Sequence, residues 1–394
     1  MSDDVVIIGM GCLLPQGAGE AALDRVLAGH SAARRWATDP QYVVAQVPDE
    51  LVPQHGDEDR ATAMAVQAAE LALTDAGLAS PRGFGAIPPE RRACLFSLSK
   101  GALEVFEGAV RRGRDGWVLE ADPAVAARRI AARWDLAGPT LAVVSACATG
   151  GFVLSRARSL LAEGRTDIVL CGAADASIHP LILGSYRKLG LLAPTDRDPA
   201  VVCRPFSADR AGFYVGEGAA AFVLCRRSTA QSLGVVAKAC LVSCTEGAFA
   251  AELTTVPTDG RDLARMISEA LGRGRLAPDG VDIVALHGTA TRDGDLNEAA
   301  ALRLALDGHA NHVAYLATKW LHGHLLGAAS AVESALAVRA MVTGKVPSVS
   351  GNVSIDSMLG DCSGRFDGVK TPRTAVKLSA GFGGQISVCV LRTE

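Results

Sequence analysis

The chain holds 394 residues, 49% hydrophobic and 21% charged, enough for two domains or one large duplicated body. Its net charge of −3 excludes a bulk basic field for nucleic acid. The start, Met1-Ser2-Asp3-Asp4, is acidic and lacks the basic n-region of a signal peptide. No apolar run reaches the ~18–20 residues expected of a bilayer span. A cytoplasmic protein with no nucleic-acid and no membrane partner is the expectation.

Taken in chain order, apolar runs alternate with amphipathic stretches. A strand is predicted over Val5–Met10. Gly9-Met10-Gly11 there resembles the opening of a dinucleotide fingerprint, but position 14 is Leu and Pro15 follows. The third glycine, which packs helix against strand, is missing, and a Rossmann reading is rejected. Good helix formers over Ala61–Ala76, closed by Gly77, predict a helix. Cys94–Leu98 and Leu141–Ser145 read as strands, Gly151–Glu163 as a helix, then Asp167–Cys171 and Ala220–Leu224 as strands. The second half continues with strands over Val236–Val242, Asp282–Leu286, Val313–Thr318, Ala375–Ser379 and Ile386–Leu391. Helices are predicted over Leu263–Leu271, Leu296–Leu306 and Ala328–Thr343. This alternation argues for α/β layers with buried strands.

An internal echo is present. Gly216-Glu217-Gly218-Ala219 leads into Ala221–Arg226, and Gly381-Phe382-Gly383-Gly384 leads into Ile386–Arg392. Each is a glycine cluster, a buried strand and a basic stop. Two similar halves, 1–230 and 231–394, account for it. No low-complexity linker separates them, so they should pack as one body. Of ten cysteines, Cys94, Cys171, Cys225 and Cys389 sit in apolar stretches and read as reduced core residues. No paired CxxC is present, Cys240 and Cys244 standing four apart, so no metal site is expected.

Chemistry concentrates in four segments. In Val143-Val144-Ser145-Ala146-Cys147-Ala148-Thr149-Gly150-Gly151 a β-branched run stops at a small-residue turn before a helix. A thiol there meets the positive end of the helix dipole, which favours thiolate. The turn alone leaves nucleophile and buried thiol equally open. Ile283–Leu286 delivers His287 to the turn Gly288-Thr289-Ala290-Thr291. Ala317-Thr318 ends on Lys319, before a loop carrying His322-Gly323-His324. Ser379-Ala380-Gly381-Phe382-Gly383-Gly384 is a turn able to bring backbone N–H groups to a substrate oxygen. Each stands at a strand end, where α/β sites assemble.

Together these segments resemble the β-ketoacyl synthase family of the thiolase fold, in its Cys-His-His elongating type. Ser145–Gly150 resembles the nucleophile motif, and His287–Thr291 with Gly294, Asp295 and Glu298 the first histidine motif. Lys319 with Gly323-His324 resembles the lysine and second histidine motif, and Gly381–Gly384 the C-terminal loop. Arg204–Phe213 with Gly216-Glu217-Gly218 resembles a further signature. The resemblance covers nearly the whole chain, in order, and implies a duplicated αβαβα α/β architecture. The half 1–230 would carry the nucleophilic cysteine, and 231–394 the two histidines and the lysine.

The family implies roles. Cys147 would accept an acyl group from acyl carrier protein. His287 and His324 would flank the thioester oxygen of the enolate left by malonyl decarboxylation. Lys319 would hold His324 and supply positive charge. The N–H groups of Cys147 and Phe382 would form the oxyanion hole, Phe382 also gating the acyl pocket. Glu298 and Asp295 would be structural, Glu298 bracing the loop around Lys319. Thr289 and Thr291, with Thr254 and Thr255, would bind pantetheine. No cofactor is implied beyond the carrier's phosphopantetheine. A dimer is implied, with a second copy or a related chain-length-factor subunit, through Leu141–Ser145. Coenzyme A-primed members resemble Cys-His-Asn, and a thiolase would place a second cysteine in the C-terminal loop, so neither fits.

Departures are also present. His322 stands where Thr is usual, Gln385-Ile386 where Thr-Asn is usual, and Ala380 where an aromatic is usual. The stretch from about Lys100 to Ala132 looks short, and of the basic docking cluster only Arg60 remains, leaving Arg128, Arg129 or Arg204 as docking cations. These changes suggest a specialised synthase for polyketide or polyene chains. A chain-length-factor-like subunit and a malonyl decarboxylase or acyltransferase on the same fold remain alternatives.

Overall fold

The structure, a computed structural model, describes residues 3–53, 58–113, 118–249, 255–347 and 371–393. The elements that carry the site are, in chain order, β1 (Val5–Leu14), α1 (Arg60–Asp75), β2 (Arg92–Leu98), β3 (Thr140–Leu141), α2 (Thr149–Ala162), β4 (Ile168–Asp175) and β5 (Gly218–Arg226). The second half adds β6 (Ala239–Ala248), α3 (Arg261–Arg273), β7 (Ile283–Ala285), α4 (Arg292–Leu306), β8 (Ala314–Leu316), α5 (Ala329–Thr343), β9 (Thr374–Ala380) and β10 (Gln385–Arg392).

The main sheet has the order β8-β7-β9-β10-β6-β1-β5-β4-β2-β3, with Gly17–Ala18 pairing off this path. Read outward from the centre, each half follows one order: first strand, fifth, fourth, second, third. The two glycine-then-strand segments supply the fifth strand of each half. The halves join where Val6 pairs with Cys240 and Ile7 with Ala239.

Five layers result. α2 and α5 lie between the two half-sheets in one apolar cluster containing Val153, Leu154, Val332 and Leu336. α1 covers the outer face of the first half through Met64, Ala68 and Ala72. α3 and α4 cover the second through Ile267 and Leu302. This is the αβαβα arrangement of the thiolase fold.

Gly9 and Gly11 explain the abandoned dinucleotide motif. β1 runs unbroken past them, and an added Cβ would stand 2.3 Å from Ala72 O at Gly9 and 2.2 Å from Ala68 O at Gly11. They let α1 lie close on the sheet.

Two expectations need correction. The strand expected over Leu141–Ser145 is only Thr140–Leu141; Ala142–Ser145 is irregular because the chain leaves the sheet for the nucleophile turn. Leu326–Thr343 is, against expectation, apolar and long enough to cross a bilayer. It is 83% buried inside the fold, since it forms part of the middle layer and is mostly apolar.

Candidate active site

Cys147 lies in a single turn, Ala146–Ala148, immediately before α2. Ala146 takes φ 46°, a left-handed conformation unusual for alanine. Three more non-glycine residues with positive φ, Phe206, Ala290 and Leu326, sit in the loops around the site. Such strain persists where surrounding structure over-determines the backbone. Here Thr149 Oγ1 accepts from Ser145 N at 2.9 Å and donates to Ala146 O at 2.7 Å. Gly381 backs onto the turn so closely that a Cβ would lie 3.0 Å from Cys147 N. Gln385 reaches it too: Ser145 Oγ donates to Gln385 Oε1 at 3.1 Å.

The thiolate expectation needs correction for the resting protein. Cys147 is 9% exposed, and burial pushes its thiol up to about 11, with Lys100 and Lys319 pulling it back. The low dielectric outweighs these cations, so the thiol is protonated at rest.

His287 leaves the end of β7, and its backbone is gripped from both sides. Glu298, on α4, accepts from His287 N and from Gly288 N, the latter at 2.9 Å. Lys319 Nζ donates to His287 O from the other side. This corrects two sequence expectations. Glu298 braces the His287 turn rather than the Lys319 loop, because α4 starts directly after that turn. Lys319 holds the His287 carbonyl rather than His324.

His324 is positioned by the 212–218 segment. Its N–H donates to Tyr214 O at 2.8 Å and its carbonyl accepts from Gly216 N at 3.0 Å. Gly216 makes this approach possible, since a Cβ there would stand 2.2 Å from His322 O. Leu326 N donates to His324 Nδ1 at 3.3 Å, which places the ring proton of neutral His324 on Nε2. The rings of His287 and His324 stand edge to face with centroids 5.6 Å apart. Both are held well below the usual histidine value, first by burial and then by Lys319. His322 does not line the cavity. Its Nδ1 meets Gly323 O at 2.7 Å and its Nε2 meets Thr318 Oγ1 at 2.8 Å, so it braces the loop.

Beneath the histidines lies a buried charge cluster with two members that motif reading missed. Glu333 on α5 takes Lys319 Nζ on one oxygen and stands 2.8 Å from Lys377 Nζ with the other. Burial works to raise the Glu333 carboxyl, but the charges of Lys319 and Lys377 outweigh it and hold it below the usual value. The signals were a lone lysine inside the strand Ala375–Ser379 and the lone carboxylate of Ala328–Thr343.

One cavity of about 420 Å³ is lined by Cys147, His287, His324, Thr289, Thr291, Thr255 and Phe382 among others, with Lys319, Lys377 and Glu333 behind its wall. Thr289 and Thr291 hydroxyls lie 2.9 Å apart. Thr254 lies outside the described residues. Phe382 meets Tyr186 at 6.2 Å between ring centroids. Asp295 does not touch the cavity; it accepts from Phe206 N at 2.7 Å and Ala290 N at 3.2 Å, and burial pushes it up to about 7. The arginines considered for docking are already engaged. Arg60 pairs with Glu217 and Asp49, Arg128 with Asp122, Arg129 with Glu58 and Arg204 with Asp209.

A thiol and two neutral histidines on one cavity, with a buried lysine on the His287 carbonyl, in a thiolase fold define a condensing-enzyme site. Residues 2–230 match the family described as beta-ketoacyl synthase, N-terminal domain, and residues 239–352 its C-terminal domain. The chain belongs to the β-ketoacyl synthase family. It is 30% identical over 415 residues to the tetracenomycin polyketide synthase ketoacyl synthase alpha subunit of Streptomyces glaucescens, covering 98% of this chain and 96% of that protein. Among solved structures it resembles a type II polyketide synthase acyl-carrier protein in complex with its ketosynthase bound to the hexaketide. The TM-score there is 0.88 at 26% identity, covering 100% of both chains. It also resembles the ishigamide ketosynthase/chain length factor, with TM-score 0.86 at 27% identity and 100% of both chains covered.

Proposed function

We propose that this protein is a β-ketoacyl-[acyl carrier protein] synthase that elongates carrier-bound chains, in polyketide or polyene biosynthesis. The observation that carries the reading is the single cavity bordered at once by Cys147, His287, His324 and Phe382. Cys147 attacks a carrier-bound acyl thioester, and the N–H groups of Cys147 and Phe382 take the oxyanion. The thiol proton ends on the departing pantetheine sulfur, so a protonated resting thiol is compatible with exchange. Malonyl carrier protein then enters, its pantetheine arm against Thr289, Thr291 and Thr255. The bond from its α-carbon to the carboxylate breaks and carbon dioxide leaves. The electron pair moves onto the thioester oxygen, where His324 Nε2–H and His287 donate. The enolate carbon attacks the acyl carbonyl, the carbon–sulfur bond to Cys147 breaks, the leaving thiolate takes up a proton from solvent, and a chain longer by two carbons departs on the carrier. These steps need no cofactor beyond the carrier's own arm.

The tetracenomycin relative is called an alpha subunit, and the ishigamide structure contains a chain length factor. A homodimer or a heterodimer with such a subunit fits the edge strand β3, beside which Leu141 and Val144 are exposed. Phe106 and Val110 on the helix Leu103–Arg112 are exposed as well. A chain-length-factor role for this chain itself is disfavoured by its intact Cys147. A cytoplasmic location is part of the reading.

The test incubates the protein with malonyl carrier protein and a ladder of acyl carriers, read by intact-protein mass. Cys147→Ala should remain folded and form no elongated product; unchanged product formation would sink the assignment. Acylated Cys147 without any chain longer by two carbons would instead favour an acyltransferase or decarboxylase.

A further inference from the structure

We propose that Lys377 is a second positioning cation of this site, acting through Glu333 and the turn that carries His287 on the charge that develops during decarboxylation. The inference rests on the condensation reaction proposed above. Lys377 lies inside β9, on the strand face it shares with Ala375 and Ser379, and its side chain is 1% exposed. A leucine or methionine could fill this buried position without burying a charge. A buried ammonium at a position that packing alone would give to a hydrophobe is a local conflict of the kind functional sites tolerate.

Its contacts say what it does. Nζ lies 3.2 Å from Leu286 O and 2.8 Å from Glu333 Oε2, and it also donates to Leu378 O. Lys319 Nζ takes His287 O and the other oxygen of Glu333. Two ammonium groups therefore hold successive carbonyls, Leu286 and His287, and share one carboxylate. Glu298 takes the His287 and Gly288 N–H groups from the opposite side. The turn is fixed on both faces, and Lys319 and Lys377 together balance the two carboxylates Glu333 and Glu298. Around this cluster His287, His322 and His324 are neutral, so without Lys377 the two carboxylates would face Lys319 alone, and the excess negative charge would oppose the enolate oxygen between His287 and His324. Acyl transfer to Cys147 develops its charge at the separate oxyanion site of Cys147 and Phe382, and should feel Lys377 less.

The experiment separates the two half-reactions. Wild type and Lys377→Met are acylated by an acyl carrier and followed by intact-protein mass. The acyl-enzymes are then mixed with increasing malonyl carrier protein in single turnovers. Lys377→Met should acylate within about 3-fold of wild type. Its limiting condensation rate should fall about 10- to 100-fold, below the cost of removing a donor that touches the oxyanion, with the half-saturating carrier concentration unchanged. Lys377→Gln keeps donors toward the carbonyls but no charge. It should show the same deficit, and it carries the test if the methionine variant does not fold. Equal losses in both steps, no loss in either, or wild-type condensation by Lys377→Gln overturns the role of Lys377. Absence of condensation by the wild-type protein overturns the reaction itself.

Discussion

Replacing Glu333 by alanine would strand two ammonium groups in the middle layer. Lys319 and Lys377 side chains are each 1% exposed, and Glu333 is 4% exposed. At 2.8 Å and an effective dielectric near 20, each pair gains about 6 kcal/mol of gross attraction. Removing one partner of a buried pair costs about 3–5 kcal/mol, because the charge left behind keeps its desolvation penalty. A stranded lysine can also escape by losing its proton. At pH 7 that costs about 1.4 kcal/mol per unit below a pKa near 10.4, so about 5 kcal/mol caps the penalty for one group. Both limits are for one charge, so Glu333→Ala should lose at least about 4–5 kcal/mol, a large part of the about 5–15 kcal/mol that folded domains have. Urea unfolding followed by far-UV circular dichroism reads this from the first transition, since a body of this size need not unfold in two states. The sign of the pH dependence is a second readout. In the variant the lysine pKa in the folded protein falls below its unfolded value, so stability rises with pH up to about 10 as the proton is lost from both states. Glu333→Ala should therefore recover part of its deficit against wild type between pH 7 and 10. A loss under about 1 kcal/mol, or a deficit that does not change across that range, would refute the charge cluster as described.

His322 makes a sharper pH prediction, since burial lowers it from 6.5 to about 4. A depressed histidine contributes stability that is complete above pH 6.5 and is lost as pH falls toward 4, at about 1.4 kcal/mol per unit. His322→Asn should remove about 3 kcal/mol of that slope between pH 6.5 and 4, and stability curves running parallel to wild type would contradict it. Gly150 lies where α2 meets α5, and a Cβ would stand 2.3 Å from Ala331 N. Gly150→Ala should cost about 1–3 kcal/mol by overpacking and slow acylation of the neighbouring Cys147, whereas Gly184→Ala, with nothing within 4 Å, should do neither. Thermal unfolding and intact-mass acylation rates compare the two; equal behaviour would show that the middle layer yields.

What could be read from the chain followed from how local each feature is. Cys147, His287, Lys319, His324 and Phe382 each stand in a short turn beside a strand or helix end, so short windows carry them, and one cavity gathers all of them but Lys319. Positions that depend on a partner distant in sequence did not show. Lys377 looks like an ordinary strand lysine until Glu333 on α5 is seen beneath it, and Glu333 looks like a helix-surface carboxylate until α5 is seen enclosed between two sheets. Glu298 was given the wrong loop for the same reason: its spacing from His287 is local, and only the turn's reversal aims its carboxylate at the His287 and Gly288 N–H groups. The departures divide along this line too. Gln385 and His322 both gained hydrogen-bond partners, Ser145 and Thr318, so each rebuilds a loop brace with different atoms.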